Sequence, residues 1–306
     1  MTPSEMYAEF QSYLDVGDGF LSGDEVWRKL DNANREICRI VAREDPTYFV
    51  QSYSITLVAG QTLYDLPLNA RLGSRILFTE DVDNKVEIMP VQELREHLDF
   101  DTPGIVNATS TYHFIMENDK VRIMGEPGSS GKSVRVWYIP SFGQMIEGQV
   151  ANATTTTLDL FKSAPNYTQN YGRPDVRNDF YNGMRIRILS NNGVGDERTI
   201  SDYTGGATKR VTVDTAWSVT PTGSEAAASN ISTFAILSPL PEDFHQMIPM
   251  RAAIDGAIKS RNRLQELQSA YYGSPGRGGL ERNLLGWLTR RHESNMNVVV
   301  PMEVGH

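Results

Sequence analysis

Residues Ser22-Gly-Asp-Glu-Val-Trp-Arg-Lys-Leu-Asp-Asn-Ala-Asn-Arg-Glu-Ile-Cys-Arg-Ile-Val41 decide the fold class. Ser22 and Glu25 form an S-x-x-E capping box, in which each side chain satisfies a free backbone amide of the other at a helix start. Val26, Leu30, Ala33, Ile37, Ile40 and Val41 then recur at spacings of three and four, one face of an α-helix. Arg28, Lys29, Asp31, Arg35, Glu36 and Arg39 take the other side. Asp45-Pro46 stops the helix, because the residue before proline disfavours helical backbone. Cys38 lies beside the apolar stripe, where a buried thiol is expected.

Outward from this helix, Met6, Phe10 and Leu14 are spaced by four, which predicts a helix over Pro3 to Leu14 ended by Asp15-Val-Gly-Asp-Gly19. From 51 onward the period changes. Ser52 to Val58 and Leu63 to Pro67 are extended pieces around Ala59-Gly60-Gln61. Arg75–Thr79 with Lys85–Met89, and Tyr112–Met116 with Lys120–Met124, are expected hairpins, with a short helix from Pro90 to Leu98 and a strand from Val134 to Ile139. Between 141 and 237 Thr, Asn and Gly are frequent and short strands alternate with turns, which suggests a small barrel or sandwich. Pro239-Leu-Pro241 then introduces acidic residues suited to a helix N-terminus, and Pro249 is a candidate first helical residue. Ala253, Ile254, Ala257, Ile258, Leu264 and Leu267 form an apolar stripe. Leu280, Leu284, Leu285 and Leu288 form another around Trp287.

The expected fold is therefore α+β: N- and C-terminal helices packed as a helical bundle, with an inserted all-β region. The expected divisions are 1–50 (N-terminal helical part), 51–140 (β-rich with a short helix), 141–237 (inserted small β-barrel or sandwich), 238–294 (C-terminal helical part) and 295–306 (extended arm).

Composition narrows the function. Across 306 residues, 40% hydrophobic and 22% charged residues are ordinary globular values. No apolar run approaches the ~18 residues of a membrane span, and no secretory signal is visible, so no membrane association is expected. The single cysteine excludes a disulfide framework or a cysteine-based zinc site. A net charge of −9 would repel DNA at long range. Gly128-Ser-Ser-Gly131-Lys132-Ser133 imitates a phosphate loop, but Glu126 stands where glycine is needed and a strand follows instead of a helix. Asp81, Asp83 and Glu87 lack the remaining calcium-loop ligands. The five histidines have no ligand spacing, and His245 is a candidate for a subunit contact. No catalytic, cofactor-binding or metal residues are assigned. Eight basic residues between Arg251 and Arg291 face three acids, whereas the first fifty residues hold ten acids and five basic residues. An acidic front and a basic back suit head-to-tail contact between copies.

Glu25 to Asp45, followed by Ile55-Thr-Leu-Val-Ala-Gly-Gln-Thr-Leu-Tyr-Asp-Leu-Pro67, resembles the opening of the tailed-bacteriophage head–tail connector (adaptor, head completion) proteins, in which a helix precedes an "AGQ…Y.LP" strand pair. Tyr181 to Gly195, Arg198-Thr-Ile200, Tyr203 and Ala216 to Pro221 are similar to small β-modules of phage virion proteins. Leu240-Pro-Glu-Asp-Phe244 before an Ala-rich helix fits the C-terminal part of such adaptors. The resemblance implies a structural virion protein without enzymatic activity. It would form a ring, commonly of twelve copies, between portal and tail or further neck proteins, lining the DNA exit channel. Genomic DNA would pass through without specific binding, past a ring of total charge about −108 at −9 per copy. Such a protein is made in the host bacterial cytoplasm and resides in the virion neck. Candidate interface residues toward the portal or a neighbouring subunit are Leu284, Trp287, Leu288, Arg290, Arg291, Val298, Val299 and Val300. The rival expectations are another tail or baseplate structural protein, or a glycan-binding or hydrolysing virion protein using the 141–237 module, with Tyr167, Tyr171, Tyr181 and Trp217 available to stack on sugars.

Overall fold

The computed structural model describes residues 1–14, 20–71, 75–82, 86–90, 113–118, 120–124, 131–162, 164–226, 230–260, 263–274 and 277–296. The chain is a mixed α+β protein that divides into two compact units, Phe49–Ser141 and a unit made of Met1–Tyr48 with Phe142–His306. The 141–237 β segment, expected from the sequence as a module of its own, therefore falls in the same unit as the terminal helices.

In the discontinuous unit, helix α1 (Pro3–Leu14) buries Pro3, Met6, Phe10 and Leu14. Helix α2 (Gly23–Glu44) begins on the expected capping box: Ser22 Oγ accepts the Glu25 amide at 3.3 Å and Glu25 Oε2 accepts the Ser22 amide at 3.2 Å. Its buried face is wider than the periodicity indicated. Trp27, Asp31, Asn34 and Cys38 are buried beside the apolar stripe, and Ile40 is only half-buried. Asp31, placed on the polar side by sequence, is 2% exposed. The reason is that α2 packs on two flanks, one against the helices and one against the β-sheet that follows Phe142: Ser238 Oγ donates to Asn34 Oδ1 at 2.7 Å.

That sheet has seven strands in the order β8-β14-β11-β12-β13-β10-β9, all neighbours antiparallel. Its strands are β8 (Ile146–Gln149), β9 (Asn152–Ala153), β10 (Thr157–Asp159), β11 (Arg185–Ser190), β12 (Glu197–Thr204), β13 (Arg210–Val213) and β14 (Thr233–Ile236). The alternation Met184-Arg-Ile-Arg-Ile188 does what its period requires: Ile186 and Ile188 are buried while Arg185 and Arg187 point outward. Both arginines bind Glu197 across the β11–β12 pair, and Arg187 also binds Glu242 in the 3-10 turn Glu242–Phe244.

After that turn, helix α4 (Met247–Ser260) starts two residues before Pro249, which lies within the first turn, where its missing N–H costs nothing. α4 lies against both α1 and α2, and Gly256 approaches Leu14 and Phe10 so closely that a Cβ there would sit 2.7 Å from Leu14 Cδ1. The stripe expected to continue from Ala253 to Leu267 is divided, with α5 (Leu264–Tyr272) separate, and Ile258 is 60% exposed rather than packed. A two-residue ladder joins β15 (Gly273–Ser274) to β16 (Arg277–Gly278), and α6 (Leu280–Met296) closes the described chain.

The second unit holds a seven-stranded sheet of order β1-β7-β3-β4-β5-β6-β2. It comprises β1 (Gln51–Thr56), β2 (Leu63–Asp65), β3 (Arg75–Asp81), β4 (Val86–Pro90), β5 (His113–Glu117), β6 (Lys120–Met124) and β7 (Ser133–Ile139), with a one-turn helix α3 (Leu68–Arg71) after β2. Both expected hairpins are present, with Thr79 opposite Ile88 and Glu117 opposite Lys120. The short helix expected from Pro90 to Leu98 falls on 91–112, outside the described residues. Ile55, Leu57, Val121, Val134 and Val136 form the buried centre of this unit. Ser133 opens strand β7, so the segment resembling a phosphate loop leads into a strand. Among the described residues no helix is long and apolar enough to cross a membrane.

Candidate functional site

α6 carries most of the residues singled out by sequence. Its amphipathic spacing places Leu284 and Leu288 inward, at 0% and 2% exposure. Both side chains are packed inside the chain, where they anchor α6. Trp287 is half-buried between two other aromatics. Phe244, in the turn before α4, lies 5.4 Å away centroid to centroid, and Tyr48, just after α2, lies 5.8 Å away edge-on. Offset and edge-to-face geometries of this kind satisfy the ring quadrupoles.

Arg291 fixes the same corner from the other side. Its guanidinium carbon stands 4.4 Å from the Tyr48 ring centroid, and its Nη1 lies 3.6 Å from Asp45 Oδ2. Asp45 is the C-cap of α2 and is buried; its Oδ1 accepts the Thr47 amide at 3.0 Å and the Thr47 hydroxyl at 2.6 Å. Burial pushes the Tyr48 hydroxyl above its ordinary range, with the nearby Arg291 charge opposing. Arg290, one residue earlier, is exposed.

The resulting surface is a shallow cleft of about 440 Å³ lined by Phe244, Asn283, Trp287, Arg282 and Arg290, with Gly278 and Gly286 in its wall. A methyl group on Gly286 would meet only Arg290 Nη1, at 4.0 Å. An aromatic floor with an arginine rim is the residue chemistry enriched where proteins dock. No nucleophile–base pair lies in the cleft, and among the described residues no cluster of His, Cys, Asp and Glu could hold a metal ion. Val298, Val299 and Val300 lie outside the described residues.

No protein-family model matches this chain, and no curated protein matches it.

The other sequence candidates are placed as follows. Tyr181 and Trp217 are buried, at 0% and 5% exposure, inside the β part of their unit. Tyr167 stacks on Tyr7 of α1 at 5.4 Å and donates to Asp24 Oδ1 of α2 at 2.5 Å, while Tyr171 meets Tyr7 edge-on. Of the four aromatics available to a sugar, two are core and two clasp helices, so they form no common platform. His245 is fully buried, not at a surface: Nε2 is 2.9 Å from the Leu240 carbonyl, and burial holds its pKa below the ordinary histidine value. Cys38 is buried, its thiol 3.7 Å from Asn34 Oδ1 and its pKa raised by burial, which keeps it un-ionised. Sequence reasoning missed Phe244 and Tyr48 as walls of the Trp287 site. Each is an aromatic two or three residues beyond a proline that ends or starts a helix, and that is the only signal it gives.

Proposed function

We propose that this chain is a structural virion protein, a head-to-tail adaptor that assembles without turnover. In this reading the terminal helices form a helical bundle, and copies contact one another heterologously to close a ring, commonly of twelve, between the portal and the tail or further neck proteins. Genomic DNA passes through the lumen of that ring. The protein is made in the host cytoplasm and retained in the virion neck.

The observation that carries the reading is the cleft around Trp287. An aromatic residue held half-exposed by Phe244 and Tyr48, with Arg282 and Arg290 beside it, supports a docking role, because aromatic and arginine side chains are enriched where proteins bind one another. The order of sequence segments resembling connector proteins supports the same conclusion. The portal contact proposed here also includes Val298, Val299 and Val300, which lie outside the described residues.

The experiment is reconstitution with the cognate portal, followed by electron microscopy of the complex. A ring matching the portal's symmetry is the expected result, with weaker attachment after deletion of residues 295–306. A chain that stays monomeric beside the portal defeats the adaptor reading. Normal attachment of the deleted form defeats only the role given to the terminal arm.

A further inference from the structure

The outward side of α2 carries three arginines that make no ion pair with a described carboxylate, although the Arg28 charge acts on Glu25 and the Arg35 charge on the buried Asp31. Arg28, Arg35 and Arg39 are spaced seven and four residues apart, which keeps them within a narrow strip of the helix surface and spreads them over about 16 Å. Arg28 and Arg39 are exposed and Arg35 is half-exposed. Arg28 Nε points to the Asp24 carbonyl at 3.4 Å; Arg35 Nε points to the Asp31 carbonyl at 3.3 Å, and its Nη2 reaches Asn32 Oδ1 at 3.0 Å. None of the three makes an ion pair with a described carboxylate.

The acids of α2 are already committed elsewhere. Asp24 pairs with Arg173, Glu25 with Lys259, Glu36 with Arg251 and Glu44 with Arg43, while Asp31 is buried. A protein of net charge −9 thus presents one helix strip that is locally cationic.

We infer that this strip is a contact surface for the phosphate backbone of duplex DNA. Arginine offers a planar fork of donors that suits phosphate oxygens, and phosphate contacts of this kind position a protein on a duplex without reading its sequence. The alternative anionic occupant is an acidic protein surface, such as a second copy of this chain. The buried core of a protein–protein patch is depleted of charged residues and more apolar than its rim. The strip offers no such core: its centre is Arg28, Asn32, Arg35 and Arg39, with the small Ala42 at one edge and Glu25, paired with Lys259, at the other. A duplex, by contrast, supplies closely spaced phosphates with no fixed counter-charge. The net negative charge of the rest of the chain keeps such a contact weak. The inference stands apart from the adaptor reading: a chain that binds DNA through this strip yet never assembles on a portal keeps the one and loses the other.

The test measures binding of the full-length chain to a labelled duplex of mixed sequence by fluorescence anisotropy across a salt series. Three phosphate contacts predict a slope of about −2.7 in log K against log salt, a loss of roughly 40-fold between about 50 and 200 mM. Arg28→Gln, Arg35→Gln and Arg39→Gln together should weaken binding at least tenfold and flatten the slope by between two and three, with the circular-dichroism melt retained. Lysine at all three positions should keep the slope, because it keeps the charges. No measurable binding by the native chain overturns the inference, as does unchanged binding by the glutamine variant. Loss of self-association without any effect on DNA reassigns the strip to a second copy and also overturns it.

Discussion

Arg291 lies over the face of Tyr48 and at the same time reaches the buried carboxylate of Asp45, so one side chain of α6 holds the C-terminal end of α2. Asp45 Oδ2 has no hydrogen-bond partner and has this guanidinium, at 3.6 Å, as its neighbouring charge. Removing the cation leaves a buried acceptor without compensation, a loss of about 1–3 kcal/mol. Arg291→Ala is therefore expected to lower denaturant stability by that amount. Asp45→Asn in the same chain should recover part of it, since the neutral amide costs less to bury. Strict additivity in the double-mutant cycle would show that the two groups do not act together.

Leu288 and Trp287 are adjacent in sequence yet are predicted to report on different things. Leu288 is 2% exposed, and its truncation to Ala should cost about 2–5 kcal/mol in equilibrium unfolding. Trp287 keeps part of its surface in solvent, so Trp287→Ala removes two aromatic contacts, each worth about 0.5–1.5 kcal/mol. The adaptor proposal predicts the reverse ranking in a portal-attachment assay. Trp287→Ala is expected to weaken attachment at least tenfold in samples still fully folded, and Leu288→Ala to leave it close to native at temperatures below its melt. Native attachment by Trp287→Ala would remove the cleft from the interface.

Gly172 occupies a left-handed backbone position, φ +78°, and a Cβ there would lie 2.6 Å from Trp27 Nε1 and 2.9 Å from Ile146 Cγ2. The next residue along, Arg173, pairs with Asp24, and the preceding Tyr171 exchanges backbone hydrogen bonds with Glu147. The segment therefore has no room to retreat. Gly172→Ala combines the strain of a left-handed alanine, about 1 kcal/mol or more, with displacement of the indole. We expect a lowered melting temperature together with a changed tryptophan emission. An unshifted emission spectrum with a lowered melt would place the strain in the backbone alone.

These residues show how far the sequence was legible. Helix α2 was readable to the residue because its start is written in local chemistry, Ser22 with Glu25, and its end in Asp45-Pro46. The hairpins of the second unit were readable because alternation and turn residues are also local. The burial of Asp31 was not, since it depends on a sheet whose first strand begins more than a hundred residues later. The exposure of Ile258 escaped for the related reason that a helical stripe does not reveal how many neighbours arrive to cover it. At the candidate site, Trp287 stood out as a large aromatic on an amphipathic helix. Tyr48 and Phe244 join it only through tertiary packing, and no spacing rule connects positions 48, 244 and 287.

Asp31 gives the chain a pH dependence in the acidic to neutral range. Its carboxyl is buried, Oδ1 has no hydrogen-bond partner, and burial raises its pKa to about 7, against the opposing pull of the Arg35 guanidinium and the Met145 amide. Tyr181, whose hydroxyl also feels Asp31, remains neutral because burial raises its own pKa. The folded state therefore holds a proton that the unfolded chain, with an ordinary carboxyl near 4, releases earlier. Where the folded state binds more protons, stability falls as pH rises. The contribution of Asp31 is thus complete below about pH 4 and is lost progressively up to about pH 7, by an amount on the order of 4 kcal/mol. His245 acts with the opposite sign: its depressed pKa means stability is lost as pH falls below the ordinary histidine value. The two effects overlap, so the native profile alone does not separate them. Comparison with Asp31→Asn does. The variant should match the native chain near pH 4 and exceed its unfolding free energy by several kcal/mol at pH 8, in urea titrations at each pH. A difference independent of pH would mean that Asp31 ionises in the folded protein as freely as in the unfolded one.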